Sequence, residues 1–110
     1  MKRCLFYGSL RRNGFNFNRF GGQIYITTLK LGGFEMYDLN HYPAVCIGDG
    51  FITCELHSVE NKSFEYIKQM EIGANYKEIE IGDNNTKNIM FIMDKYELKN
   101  YQRISSGNWQ

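Results

Sequence analysis

The sequence predicts an α+β domain built on an antiparallel sheet that, in a chain of this size, curls into a small barrel. Three observations carry this expectation. Strand-like runs dominate the chain, one stretch alone switches to helical spacing, and glycine-rich breaks separate the runs. The 110 residues fit a single domain spanning 1–110, long enough to bury roughly 65% of its unfolded surface. With 43% hydrophobic residues and one proline, the chain has the apolar side chains needed to offset the entropy of ordering.

The elements follow in chain order. Lys2 to Tyr7 is a compact apolar run, and Gln23 to Leu31 is rich in Ile, Thr and Tyr; both read as strands. Gly32-Gly33 then breaks the chain, and Phe34 to Leu39 alternates Phe34 and Met36 against Glu35 and Tyr37. A turn at Gly48-Asp49-Gly50 introduces a further strand from Phe51 to Val59. From Asn61 the period changes, because Phe64, Ile67, Met70 and Glu71 fall on one helical face, with Asn61 as N-cap and Gly73 as the stop. Tyr76 to Ile81 and Asn88 to Met93 flank a turn at Gly82-Asp83-Asn84-Asn85 and predict an antiparallel hairpin. The tail from Tyr96 to Gln110 is less regular.

Charge and cysteine usage exclude several function classes. A formal charge of +1 sets up no field for nucleic acid or an anionic membrane surface, and no apolar stretch approaches the roughly 20 residues of a membrane span. The opening MKRCLFY is too short an apolar run for a signal peptide. Cys4, Cys46 and Cys54 are an odd set without paired spacing, as expected of reduced, buried thiols in a cytoplasmic protein. With His41 and His57 they form no CxxC or HxxxH pattern, so neither a metal nor another cofactor is expected. Gly21-Gly22-Gln23 matches the tripeptide of peptide-chain release factors, but it runs into a strand and nothing around it fits that role.

Two places carry chemistry. Glu71 lies seven residues after Phe64 and four after Ile67, so the helical period puts its carboxylate on the apolar stripe, and near the helix C-terminus the dipole also opposes its charge. Both effects raise its pKa toward that of a proton-transfer group. The other placement open to it is solvent, if the helix ends a residue or two early. The second place is the stretch FYGSLRRNG, Phe6 to Gly14. Gly8 and Ser9 at a strand end suit a concave turn with successive N–H groups that bind an anion, or a polar loop in which Arg11 and Arg12 are merely solvated.

Together with that opening stretch, HYPAV at His41 to Val45, GFITCELHSV at Gly50 to Val59, MEIGANY at Met70 to Tyr76 and ISSGNW at Ile104 to Trp109 come in a telling order. The chain resembles the gamma-glutamylcyclotransferase-like family over almost its whole length, and most of all the small bacterial members of the YtfP type. The resemblance implies a small, mainly antiparallel β-barrel with flanking helices and a cavity at the end of the first strand. It further implies that Tyr7, Gly8, Ser9 and Leu10 bind the glutamyl end of a substrate through the backbone, and that Glu71 is the acid/base. The reaction implied is cyclisation of a small-molecule gamma-glutamyl amine or amide to 5-oxoproline, with no metal, nucleotide or covalent intermediate. The chain departs from the family pattern in Lys68-Gln69 and Glu78, and in Cys54 where a glycine is usual. The alternative function is a binding or sequestering module for a small anionic or zwitterionic metabolite, with Tyr7, Tyr37, Tyr42, Tyr76 and Trp109 around the same cavity. The candidate set is therefore Glu71 as catalytic residue, with Tyr7, Gly8, Ser9, Leu10, Tyr37 and Tyr76 as binding residues.

Overall fold

In the computed structural model, which describes residues 1–82 and 85–110, six strands form one sheet in the order β4-β5-β1-β3-β2-β6. They are β1 (Lys2–Phe6), β2 (Gln23–Asp38), β3 (Pro43–Val59), β4 (Lys77–Gly82), β5 (Lys87–Ile92) and β6 (Gln102–Ile104). One α-helix, α1 (Asn61–Gly73), and a short 3₁₀ helix (Lys95–Leu98) complete the regular structure of the described residues. Every neighbouring pair is antiparallel except β1 and β5, which run parallel with Cys4 opposite Ile89.

From Cys4 onward β1 is apolar because both of its faces are covered there, as expected of a central strand, while Lys2 and Arg3 at its start are exposed. Cys4 and Phe6 point to a core shared with Phe64 and Ile67 of α1, while Leu5 and Tyr7 point to a second core with Met36, Val45, Ile52 and Met90. Leu29 and Leu31 near one end of the sheet and Ile79 and Ile81 near the other pack against this second core, so the sheet curls around it. The architecture is the expected α+β one: a mainly antiparallel sheet curled into a half-barrel, with α1 closing its outer face.

Two expected breaks are instead parts of long strands. β2 runs through Gly32-Gly33 with only a shift of register between Gly32 and Phe34, and Gly33 has φ +92°. That conformation is open to glycine and lets the strand absorb an irregularity as a bulge. β3 runs through Gly48-Asp49-Gly50, where a Cβ on Gly48 would lie 2.4 Å from the Glu35 carboxyl. These glycines make room for the neighbouring strand's side chain and do not turn the chain. The turn expected over Gly82-Asp83-Asn84-Asn85 falls partly outside the described residues, and β4 and β5 pair antiparallel on either side of it.

The helix begins one residue earlier than predicted. Glu60 is its N-cap, with the Phe64 N–H bonded to the Glu60 carbonyl at 2.9 Å, and Asn61 is the first helical residue. Its end is built by Asn75, not Gly73. Asn75 takes φ +76°, the Asn75 N–H bonds to Ile72 O and the Tyr76 N–H bonds to Glu71 O, each at 3.0 Å. This is the Schellman arrangement, in which the residue two past the cap folds back over the one three before it. The expectation that the helix might end early and release Glu71 to solvent is therefore not met.

Candidate active site

The helix end sets the first half of the site. In the Schellman turn the 6→1 hydrogen bond joins Tyr76 to Glu71, which brings these two residues to one wall. Glu71 is half-buried and Tyr76 is buried. No described side chain or backbone group hydrogen-bonds to the Glu71 carboxyl or pairs with it. Burial without a partner pushes its pKa from 4.5 up to about 7.

The end of β1 sets the second half. The chain turns tightly after Tyr7, with the Arg11 N–H bonded to Gly8 O at 3.1 Å. Asn16 ties the turn back on itself: its N–H donates to Ser9 O at 3.0 Å and its Nδ2 to Ser9 Oγ at 2.9 Å. Gly14 passes so close that a Cβ there would sit 2.0 Å from Ser9 O, and one on Gly8 would meet Pro43 Cγ at 3.0 Å. Among the described residues the backbone N–H groups of Gly8, Ser9 and Leu10 have no protein acceptor. Three successive free donors in a constrained turn are a nest-like arrangement of the kind that can bind an anion.

The two halves face one cavity of about 200 Å³, lined by Glu71, Tyr76, Met70 and Ala74 on the helix side and by Tyr7, Gly8, Ser9 and Leu10 on the strand side. Tyr42, Pro43 and the exposed Phe15 form its rim. The Tyr7 hydroxyl donates to Phe91 O at 2.6 Å and the Tyr76 hydroxyl to Pro43 O at 2.5 Å. Burial, and the nearby Glu71 charge, raise both phenols well above their ordinary range, so both remain neutral and keep donating to those carbonyls.

Of the sequence-predicted residues, Glu71, Tyr7, Gly8, Ser9, Leu10 and Tyr76 meet at this cavity. Tyr37 does not: its hydroxyl donates to Glu35 Oε1 at 3.0 Å and its ring packs against the helix-side core outside the cavity. Trp109 is also absent from the cavity and lines a neighbouring cleft. Met70, Phe15 and Asn16 were not foreseen. The helical period marked Met70, whereas the loop holding Phe15 and Asn16 has no period to read. Glu78, one of the departures, pairs with Lys68 at 3.2 Å, and Cys54 packs in the half-barrel core with its thiol pushed up to about 11 by burial. Among the described residues no group of three His, Cys, Asp or Glu side chains is placed to share a metal ion.

The profile of the family described as "Gamma-glutamyl cyclotransferase, AIG2-like" matches residues 4–110. The chain belongs to this family. A relative, "Gamma-glutamylcyclotransferase family protein ytfP" of Citrobacter rodentium, is 23% identical over 108 residues, covering 97% of this chain and 94% of the relative. The solution structure of protein ytfP from Escherichia coli superposes with a TM-score of 0.78 at 22% identity, over 97% of this chain and 95% of that one. The crystal structure of PH0828 from Pyrococcus horikoshii gives a TM-score of 0.80 at 24% identity, over 98% of this chain and 89% of the other. At these identities the solved structures speak for the gamma-glutamyl cyclotransferase fold. No helix among the described residues is long and apolar enough to cross a membrane.

Proposed function

We propose that this protein cyclises gamma-glutamyl amines or amides to 5-oxoproline, with Glu71 as both general base and general acid. The observation that carries the reading is the unpartnered Glu71 carboxyl on the same cavity as the Gly8–Leu10 turn, whose three backbone N–H groups are free.

The nest at Gly8, Ser9 and Leu10 receives the substrate α-carboxylate, and Glu71 takes a proton from the α-ammonium. The freed amine attacks the γ-carbonyl carbon, forming the C–N bond of a five-membered ring. As the tetrahedral centre collapses, the bond to the leaving amine breaks, protonated Glu71 returns its proton to that nitrogen, and the second proton shed by the ring nitrogen departs with the amine as its ammonium. No atom is left over and the carboxylate is regenerated. A pKa of about 7 suits a group that must first accept and then donate a proton near neutrality. Held carboxylate and amine place the nucleophile near the γ-carbonyl, so orientation supplies much of the rate. The apolar, neutral walls from Tyr7, Tyr76 and Met70 keep the exchange of protons local. Three buried free thiols suit a reducing, cytoplasmic setting.

The test is incubation of the protein with a panel of gamma-glutamyl amino acids and amines, with 5-oxoproline detected by mass spectrometry. Product from the wild type and none from Glu71→Gln is expected. Product formed equally by both overturns the assignment of Glu71, and no product across the panel overturns the reaction.

A further inference from the structure

Outside the cavity, β3 carries a polar pair, Glu55 and His57, within the apolar run ITCELHSV. His57 is wholly buried, with the Phe6, Phe17 and Tyr25 rings edge-on to it at 5.2, 5.8 and 5.8 Å. Its Nε2 lies 2.9 Å from Glu55 Oε1 and its Nδ1 lies 3.0 Å from Gln23 Nε2. Each of these partners holds the turn that carries the nest. Gln23 Nε2 donates to Leu10 O at 2.6 Å, and Glu55 Oε1 accepts the Arg12 N–H at 2.9 Å.

The protonation state of this relay follows from backbone groups whose roles are not in question. The Asn18 N–H donates to Gln23 Oε1 at 3.0 Å while Leu10 O accepts from Gln23 Nε2, which fixes the amide orientation. The second hydrogen on Gln23 Nε2 then points at His57 Nδ1, which must be unprotonated. The imidazole proton sits on Nε2 and is donated to Glu55. A second proton on the ring would set N–H against N–H. Relief would require the Gln23 amide to turn over, which would point its oxygen at the Leu10 carbonyl and release it.

We propose that neutral His57, acting through Gln23 and Glu55, is the positioning residue that holds the Gly8–Leu10 nest in its binding geometry, and that protonation of His57 loosens it. The proposal deepens the reading of the nest as a carboxylate site and rests on it for its functional consequence. The charged groups facing the imidazole are Glu55 on its own strand and Arg12, whose guanidinium stacks 3.4 Å over the Tyr25 ring on β2. β1 presents Phe6 and, directly across the ladder, the buried Cys4 thiol, β2 presents the Tyr25 phenol, and the loop before β2 presents Phe17. Burial opposes the charged imidazole and lowers its pKa, so the relay is intact at neutral pH.

The experiment is carried out on Glu71→Gln protein, which removes the titration of the base. NMR of the His57 ring gives its tautomer and midpoint, the Gly8, Ser9 and Leu10 amide signals are followed with pH, and binding of γ-glutamylalanine is measured by calorimetry. The Nε2–H tautomer is expected, with the three amides shifting at the midpoint of His57. The isosteric Gln23→Glu is the sharper variant, because a carboxylate cannot donate to Leu10 O and draws a proton onto His57. It should raise the His57 midpoint and weaken γ-glutamylalanine binding at pH 7.5 by about tenfold, the loss of roughly one hydrogen bond's worth of order in the turn. An Nδ1–H tautomer, or turn amides that ignore the titration of His57, overturns the relay even if the ligand binds. Amides that follow His57 in a protein that binds no γ-glutamylalanine support the relay and overturn the ligand assigned to the nest.

Discussion

Replacing Glu71 by Gln should stabilise the protein, and only at higher pH. In the folded chain the carboxyl titrates at about 7 against an ordinary 4.5, because it is taken from water and given no partner. The native state therefore holds this proton more tightly than the unfolded chain. The group's contribution to stability is fully present below 4.5, declines as pH rises, and is lost once pH passes about 7. A displacement from 4.5 to about 7 corresponds to about 3 kcal/mol of penalty on the carboxylate. Water reaching the open side of the cavity screens part of it and leaves about 1–3 kcal/mol. Gln keeps the shape and never ionises, so the difference in unfolding free energy between variant and wild type should rise by that amount between pH 5 and pH 8.5. Any cost of burying the amide itself is equal at the two pH values and cancels from the comparison. Urea unfolding at both pH values measures it. A difference that stays constant with pH would show a solvated carboxyl and refute the argument that burial tunes this base.

Three further outcomes follow from the same geometry. The rate of 5-oxoproline formation should rise with pH through about 7 as Glu71 ionises, and a limb near the ordinary 4.5 would speak against it as the base. Gly8→Val, whose Cβ would crowd Pro43 Cγ at 3.0 Å, should weaken γ-glutamylalanine binding by about tenfold in calorimetry, whereas unchanged affinity would remove the turn from the site. Asn75→Val forces a β-branched residue to φ +76° and should cost about 1–2 kcal/mol in urea unfolding, with Asn75→Gly close to wild type. Activity of the folded Val variant should fall further than its stability, because the same turn sets Tyr76 against Glu71.

The parts of this molecule legible in the sequence are those with a period. Spacing of Phe64, Ile67 and Met70 located α1 and turned Glu71 inward, and the apolar run of Cys4 to Tyr7 marked the central strand. Glycines were read less well, since Gly32-Gly33 and Gly48-Asp49-Gly50 look like punctuation locally and are a bulge and a close packing site in the sheet. The parallel pairing of β1 with β5 joins residues as far apart as Cys4 and Ile89, and no local pattern encodes it. Tyr37 illustrates the limit of composition, being an aromatic residue of a suitable kind on a part of β2 that does not reach the cavity. The His57 relay draws one residue from β2 and two from β3 and closes on a loop. Its sequence trace is the i, i+2 polar pair of Glu55 and His57 in an apolar strand, a signal that a buried polar partnership must exist without saying with whom.

The Asn75 helix end gives the chain little tolerance for changes in length. One residue added between Phe64 and Glu71 would swing the carboxylate about 100° around the helix axis and out of the cavity, with the helix itself intact. The β2–β3 hairpin is bound in the same way, because its turn carries Tyr42 and Pro43 to the cavity and one residue added to each strand would turn Met36 and Val45 out of the core. The count from Phe64 to Tyr76 thus sets where the carboxylate lies, so that what must be inherited here is an interval as much as any residue within it.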